Sequence, residues 1–136
     1  MDWLYVETSA LLELVLDQPR ATEILQYMQH ARALAASELL VLEMSRVIAR
    51  LGKDTGAVVE RLAYLERFVD LCPVDVNLRA HLARPFASEP LRTLDALHLA
   101  TALDLRLPGE RVGFLCLDKR LRENAAALGF VVMPHA

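Results

Sequence analysis

Several patterns that define familiar classes of protein are missing from this sequence of 136 residues. No stretch approaches the roughly 18 to 20 consecutive apolar residues of a membrane span. Only two cysteines occur, Cys72 and Cys116, which is too few for a disulfide framework and predicts free thiols in a reducing compartment. The chain opens with Met1, Asp2 and Trp3, and Asp2 is an acid where a signal peptide carries basic residues. We therefore expect a cytoplasmic protein without a membrane anchor.

The motifs of several enzyme classes are absent as well. The five glycines form no phosphate-binding loop, and histidines and cysteines are not spaced as zinc ligands. Neither Thr8, Ser9 nor the cysteines have a neighbouring base that would make a nucleophile. A net charge of −3 argues against binding nucleic acid through bulk positive charge. Two local clusters of basic residues are compatible with a basic rim around a site. One consists of Arg46, Arg50 and Lys53, and the other of Lys119, Arg120 and Arg122.

One helical segment is present that needs a special explanation. Residues 91–103 read as a helix that is apolar on almost every side, with Asp95 inside it. Aspartate is rarely buried unless its charge is satisfied. Either a neighbouring cation holds Asp95, or its carboxylate points into a functional cleft.

The remaining pattern predicts a single α/β domain over residues 1–136, with four to five strands alternating with helices. Such alternation indicates a mostly parallel sheet with helices on both faces. Strands are predicted at residues 3–7, 33–37, 68–74, 112–117 and 130–133. Helices are predicted to follow Thr8 or Ser9 as N-cap and to cover 21–34, 39–51, 58–65, 76–86, 91–107 and 118–128.

The predicted fold would bring four acidic residues close to one edge of its sheet. Glu7 and Asp118 end predicted strands, and ligands of parallel sheets bind beyond the strands' carboxyl ends. Glu43 lies within the apolar face of its helix. Each acid also has an ordinary explanation: Asp118 as a helix cap, Glu43 as a partner of an arginine. His98, three residues from Asp95, is expected to pack in the core.

Acids that converge in one cleft repel each other and must protonate or recruit a cation. Oxygen ligands of this kind suit Mg²⁺ or Mn²⁺ better than Zn²⁺. The chemistry left open is metal-assisted hydrolysis, in which one or two ions activate water and stabilise a phosphodiester oxygen.

Three segments resemble the motifs of PIN-domain ribonucleases, particularly the VapC-like toxins of bacterial toxin–antitoxin pairs. They are residues 4–11 (LYVETSAL), residues 94–102 (LDALHLATA) and residues 115–121 (LCLDKRL) with 127–130 (ALGF). Ser37 and Glu43 fit the second acidic position of that family.

The resemblance implies a three-layer α/β/α sandwich and Mg²⁺- or Mn²⁺-dependent cleavage of RNA, whether tRNA, rRNA or mRNA. It also implies a homodimer that is inhibited by a cognate antitoxin protein. Glu7 and Asp95 would be the main metal ligands, Glu43 would complete the inner shell, and Asp118 would support metal or activate water. Ser9 or Thr8 would hold a ligand carboxylate in place.

The sequence departs from this family at its first acidic position, where Glu7 replaces the usual aspartate. The additional methylene extends the side chain by about 1.5 Å. One interpretation is a working nuclease with altered metal preference. The other is a weakened or inactive PIN-like module that mainly binds its antitoxin. Cys116 and Leu117, where Thr and an aromatic are usual, are smaller departures.

A phosphoacceptor signalling domain is a third interpretation, because Lys119 follows a strand as in receiver domains. That scheme needs paired acids after the first strand, where Thr8 and Ser9 stand. It also gives no role to Asp95.

Overall fold

The computed structural model describes residues 1–52 and 54–135. Its strands are β1 (Trp3–Val6), β2 (Leu34–Ser37), β3 (Asp70–Cys72), β4 (Val112–Leu115) and β5 (Val131–Met133). Its helices are α1 (Thr8–Val15), α2 (Ala21–His30), α3 (Leu39–Leu51), α4 (Gly56–Glu66), α5 (Arg79–Leu82), α6 (Thr93–Leu105) and α7 (Lys119–Ala127). A turn of 3₁₀ helix at Val76–Leu78 precedes α5.

All five strands form one parallel sheet in the order β3-β2-β1-β4-β5. β1 occupies the centre, and its neighbours β2 and β4 pair with it along Leu4–Leu34 and Trp3–Val112. Parallel neighbours require crossover connections, which the intervening helices supply. The predicted α/β class and the parallel sheet are therefore confirmed.

Helices cover both faces of this sheet and create two hydrophobic cores. Alternate residues of a strand point to opposite faces, so Leu4 and Val6 enter one core and Tyr5 enters the other. The first core is closed by α1 to α4, and the second by α6 and α7. This arrangement gives the three layers that the resemblance implied.

The helix predicted over residues 76–86 is wrong. The 3₁₀ turn leads directly into α5, which ends at Leu82. Pro85 disfavours helical geometry at the residue before it, so the apolar spacing could not be continued as helix. The second helix also ends earlier than predicted, at His30, because β2 takes up the residues from Leu34.

Residue 53 lies outside the described residues, and with it the third member of the basic cluster of Arg46 and Arg50. The remaining predicted cluster, Lys119, Arg120 and Arg122, lies in α7. Among residues 1–52 and 54–135, every helix falls short of the length and apolar character that spanning a bilayer demands.

Gly113 offers a test of packing at the centre of the sheet. A methyl group at this residue would lie 2.7 Å from Cδ1 of Leu4 and would also collide with Met1. We expect Gly113→Ala to lower the free energy of unfolding by about 1–3 kcal/mol, as overpacking does. Gly56→Ala is the control, since nothing lies within 4 Å of its added methyl group. Equal melting temperatures for both variants would contradict this packing.

Candidate active site

The four predicted acids lie around the edge where the strands have their carboxyl ends. Glu7 follows β1 directly, and Asp118 comes three residues after β4. Glu43 lies in α3, which follows β2. Asp95 belongs to the first turn of α6, a helix whose other end leads back to the start of β4. The fold therefore brings residues from four separate segments to one side of the sheet.

Glu7 caps the helix that follows it. Its Oε2 accepts a hydrogen bond from the backbone N–H of Ser9 at 2.9 Å and another from the Ser9 hydroxyl. The expected cap by Thr8 or Ser9 is therefore wrong, because the carboxylate of the preceding residue, Glu7, bonds the first turn of α1. Glu7 is only 5% exposed, and this burial raises the pKa of its carboxyl group.

The hydroxyl of Ser9 connects Glu7 to the neighbouring strand. Its Oγ accepts a hydrogen bond from the backbone N–H of Leu117 at 2.9 Å while its proton goes to Glu7. Cys116, which is buried, lies 3.8 Å from the same oxygen through its Sγ. The chain segments after β1 and after β4 are thus held together at the Glu7 carboxylate.

Glu43 is held by two donors that come from other elements. Its Oε1 accepts hydrogen bonds from the Thr8 hydroxyl at 2.7 Å and from Nε2 of His98 at 2.6 Å. Burial raises the pKa of this carboxyl group, but the bonds from His98 and Thr8 outweigh it, and the pKa lies below its ordinary value. Neither bond uses the second oxygen, Oε2.

His98 links this carboxylate to the centre of the sheet. The residue is fully buried, as expected, but it does more than pack. Its Nδ1 lies 2.7 Å from the hydroxyl of Tyr5, and that hydroxyl accepts a hydrogen bond from the backbone N–H of Ser37 at 3.1 Å. Sequence reasoning missed Tyr5, because a tyrosine in an apolar strand gives no sign of a polar partner.

The structure gives Asp95 a neighbouring cation, one of the two explanations that the sequence allowed. Nε of Arg92 lies 3.3 Å from its Oδ2, and the charge of Arg92 also lowers the pKa of Glu43. The side chain of Arg92 is 85% exposed, whereas that of Asp95 is 16% exposed. Exposed ion pairs of this kind contribute little to stability, about 0–1 kcal/mol. Arg92 therefore supplies the neighbouring cation, and its bond engages Oδ2 of Asp95.

Asp118 caps α7, as its ordinary explanation predicted. Its Oδ1 accepts a hydrogen bond from the backbone N–H of Leu121 at 2.9 Å, and the residue is half-buried. No hydrogen bond in the described part of the chain joins it to the other three acids. Its predicted part in the chemistry stays a prediction.

The acids surround one edge without closing into a formed metal cage. Within residues 1–52 and 54–135, no three Asp, Glu, His or Cys side chains are close enough together to hold an ion. The donor chemistry nevertheless suits a hard divalent cation, because the four groups offer carboxylate oxygens. The convergence of all four acids on a metal therefore stays a prediction.

Comparisons with known proteins match both the motifs and the fold. The family model of the PIN domain matches residues 4–127. Ribonuclease VapC47 of Mycobacterium tuberculosis (strain CDC 1551 / Oshkosh) is 33% identical over 132 residues, covering 94% of this chain and 93% of the relative. Ribonuclease VapC46 of Mycobacterium tuberculosis (strain ATCC 25618 / H37Rv) is also 33% identical over 132 residues, covering 96% and 95%.

A solved structure has the same fold. The crystal structure of Mycobacterium tuberculosis VapC20, a Sarcin-Ricin loop cleaving toxin, matches with a TM-score of 0.68. The match covers 94% of this chain and 96% of that chain at 19% identity, so it bears on the fold alone. The family match and the relatives above 30% identity place the chain in the PIN-domain family, among the VapC ribonucleases.

Proposed function

We propose that this protein is the RNA-cleaving toxin of a toxin–antitoxin pair and that it hydrolyses phosphodiester bonds with a divalent cation. The observation that supports this most directly is Glu43, a half-buried carboxylate held at one oxygen by Thr8 and His98. Hydrogen bonds that fix one oxygen of a carboxylate orient its other oxygen for a ligand. Membership of the VapC ribonucleases supports the same reaction.

The residues at this edge of the sheet would have different roles in binding the cation and in hydrolysis. Glu7 and Asp95 would be the main ligands of Mg²⁺ or Mn²⁺, Glu43 would bind the ion directly or through water, and Asp118 would support the ion or activate water. Ser9 and Thr8 orient Glu7 and Glu43 through the bonds described above. A bound cation would lower the pKa of its water and stabilise charge on the phosphodiester oxygens.

The proposed partners are an RNA substrate, a cognate antitoxin and a second copy of this chain. The matched VapC relatives, which are named ribonucleases, support the RNA substrate. Because the proposed RNA substrates are cytoplasmic, we place the activity in that compartment.

The inactive binding module is the less favoured alternative. In this alternative, the additional methylene of Glu7 moves its carboxylate away from the position that would bind the cation. Against it stand the matched relatives, which are named ribonucleases. Glu7 is also anchored by Ser9, so its carboxylate has a defined position despite the longer side chain.

Asp95→Asn tests the proposed activity. We expect RNA cleavage with Mn²⁺ to fall at least about 100-fold, because one proposed ligand loses its charge. The melting temperature should stay equal or rise slightly, since repulsion among the acids decreases and only an exposed ion pair is lost. The assay follows discrete fragments from purified tRNA and rRNA, with and without EDTA.

Asp104→Asn is the matched control, because Asp104 is an exposed acid on the same helix. It should cleave RNA as the wild type does. Loss of folding in Asp95→Asn would instead assign Asp95 a structural role, and equal cleavage by both variants would sink the proposed site.

Glu7→Asp separates the nuclease from the inactive module. We expect the shorter side chain to raise cleavage with Mg²⁺ relative to Mn²⁺ by about 10- to 100-fold, since catalysis responds strongly to shifts of about 1 Å. Cleavage is measured with each metal over a range of concentrations. If the wild type is silent and Glu7→Asp cleaves RNA, the inactive module is the correct description of this chain. Unchanged metal affinity and cleavage would mean that the additional methylene has no effect.

Glu7→Gln tests whether a bound cation stabilises the buried carboxylate of Glu7. In EDTA the variant should unfold at a temperature roughly 3–5 °C higher, which corresponds to about 1 kcal/mol, because it no longer buries a desolvated charge. Mn²⁺ at about 100 times its dissociation constant should stabilise the wild type by about 2.7 kcal/mol and the variant much less. The control is Glu60→Gln, an exposed acid of α4. A variant that is less stable in EDTA and gains as much from Mn²⁺ as the wild type would rule out this role.

A further inference from the structure

The fully buried imidazole of His98 lies between a phenol and two groups of the site. Its Nδ1 is 2.7 Å from the Tyr5 hydroxyl, and its Nε2 is 2.6 Å from Oε1 of Glu43. Thr8 approaches the same Nε2 at 3.3 Å and donates its proton to Glu43. A buried polar network of this kind is stable only when every proton has an acceptor.

One member of this network, the backbone N–H of Ser37, can only donate a hydrogen bond, and this fixes the directions of the other bonds. The backbone N–H of Ser37 donates to the Tyr5 oxygen, so the single phenolic proton must point elsewhere. Nδ1 of His98 is the acceptor in reach, and it accepts only when it carries no proton. The ring proton is then on Nε2, from which it is donated to Glu43.

A proton on Nδ1 does not satisfy the network. Nδ1 would then donate, and the Tyr5 oxygen would receive bonds from both Ser37 and His98. The phenolic proton would have no acceptor within the described residues, which is costly in a buried position. The tautomer with its proton on Nε2 leaves nothing in this network unpaired.

We propose that His98 is a positioning residue of the site: Tyr5 fixes its Nε2–H tautomer, and His98 then holds Oε1 of Glu43 so that Oε2 is left for the cation or its water. The last step rests on the proposed function. The tautomer and the contact with Glu43 belong to the metal-free protein.

The position of His98 in the chain adds a second consequence. His98 lies three residues after Asp95, one turn further along α6, so both face the same side of this helix. One rigid helix therefore carries a proposed metal ligand and the group that orients another ligand. The register of α6 against the sheet sets the separation of Asp95 and Glu43, and Tyr5 fixes that register at the central strand.

Nitrogen-15 NMR of the histidine rings in the metal-free protein tests the first part. We expect the Nε2–H form for His98 in the wild type, and a mixture of tautomers in Tyr5→Phe, which has lost the phenolic proton. A wild-type ring that carries a proton on Nδ1 would overturn the inference.

Two substitutions of His98 separate positioning from packing. The amide nitrogen of glutamine reaches the place of Nε2, and that of asparagine reaches only the place of Nδ1. We expect His98→Asn to weaken Mn²⁺ binding about 10- to 100-fold and His98→Gln to stay within about threefold of the wild type. Mn²⁺ affinity is measured by calorimetry, and thermal unfolding is followed in parallel.

Glu43→Gln shows whether the effect passes through Glu43. Adding His98→Asn to Glu43→Gln should weaken Mn²⁺ binding no further, because the oriented carboxylate is already gone. Full additivity, or wild-type affinity in His98→Asn, would overturn the positioning role. If His98→Asn does not fold, Tyr5→Phe replaces it, with a smaller loss of Mn²⁺ affinity expected and unchanged affinity counting against the proposal.

The failure of the proposed function can be told apart from the failure of this inference. A wild-type chain that binds Mn²⁺ but cleaves no RNA contradicts the nuclease and leaves His98 in its role. A wild-type chain that binds no Mn²⁺ overturns the proposed metal site and the last step of this inference, whereas the NMR measurement on the metal-free protein decides the tautomer of His98.

Discussion

The buried hydroxyl of Tyr5 is the constraint on which the site depends. It lies in the central strand and bonds to β2 through Ser37 and to α6 through His98. Leaving such a group unpaired inside a protein costs about 1–3 kcal/mol, so the three elements have a strong preference for one arrangement. That arrangement also brings α6 and α3 together at Glu43.

Glu7 and Glu43 illustrate opposite electrostatic solutions at this edge. Glu43 receives bonds from His98 and Thr8, and its pKa falls although it is half-buried. Glu7 receives bonds from Ser9, but burial outweighs them and its pKa rises. A carboxylate of the first kind is already satisfied as an anion. One of the second kind gains most from a cation, which agrees with the proposed role of Glu7 as a main ligand.

The segments after β1 and β4 act as one unit because a single hydroxyl serves both. Ser9 donates to Glu7 and accepts from the backbone of Leu117, and Asp118 follows directly. The carboxylate of Glu7 bonds the N-terminus of its own helix. Local hydrogen bonds therefore hold the glutamate where the resemblance implies an aspartate.

The sequence by itself determined the alternation of strands and helices, and with it the parallel sheet, because those features follow from local periodicity. It also determined that Glu7 and Asp118 follow strands, which assigns them to one edge of such a sheet. It misassigned the cap of α1 and the helix over 76–86, where competing caps and a proline decide the outcome within a few residues. Only the tertiary structure decided the contacts of His98, whose partners Tyr5 and Glu43 are 93 and 55 residues away. Hydrogen bonds over such separations arise from the packing of α6 on the sheet, and no local pattern in the chain records them.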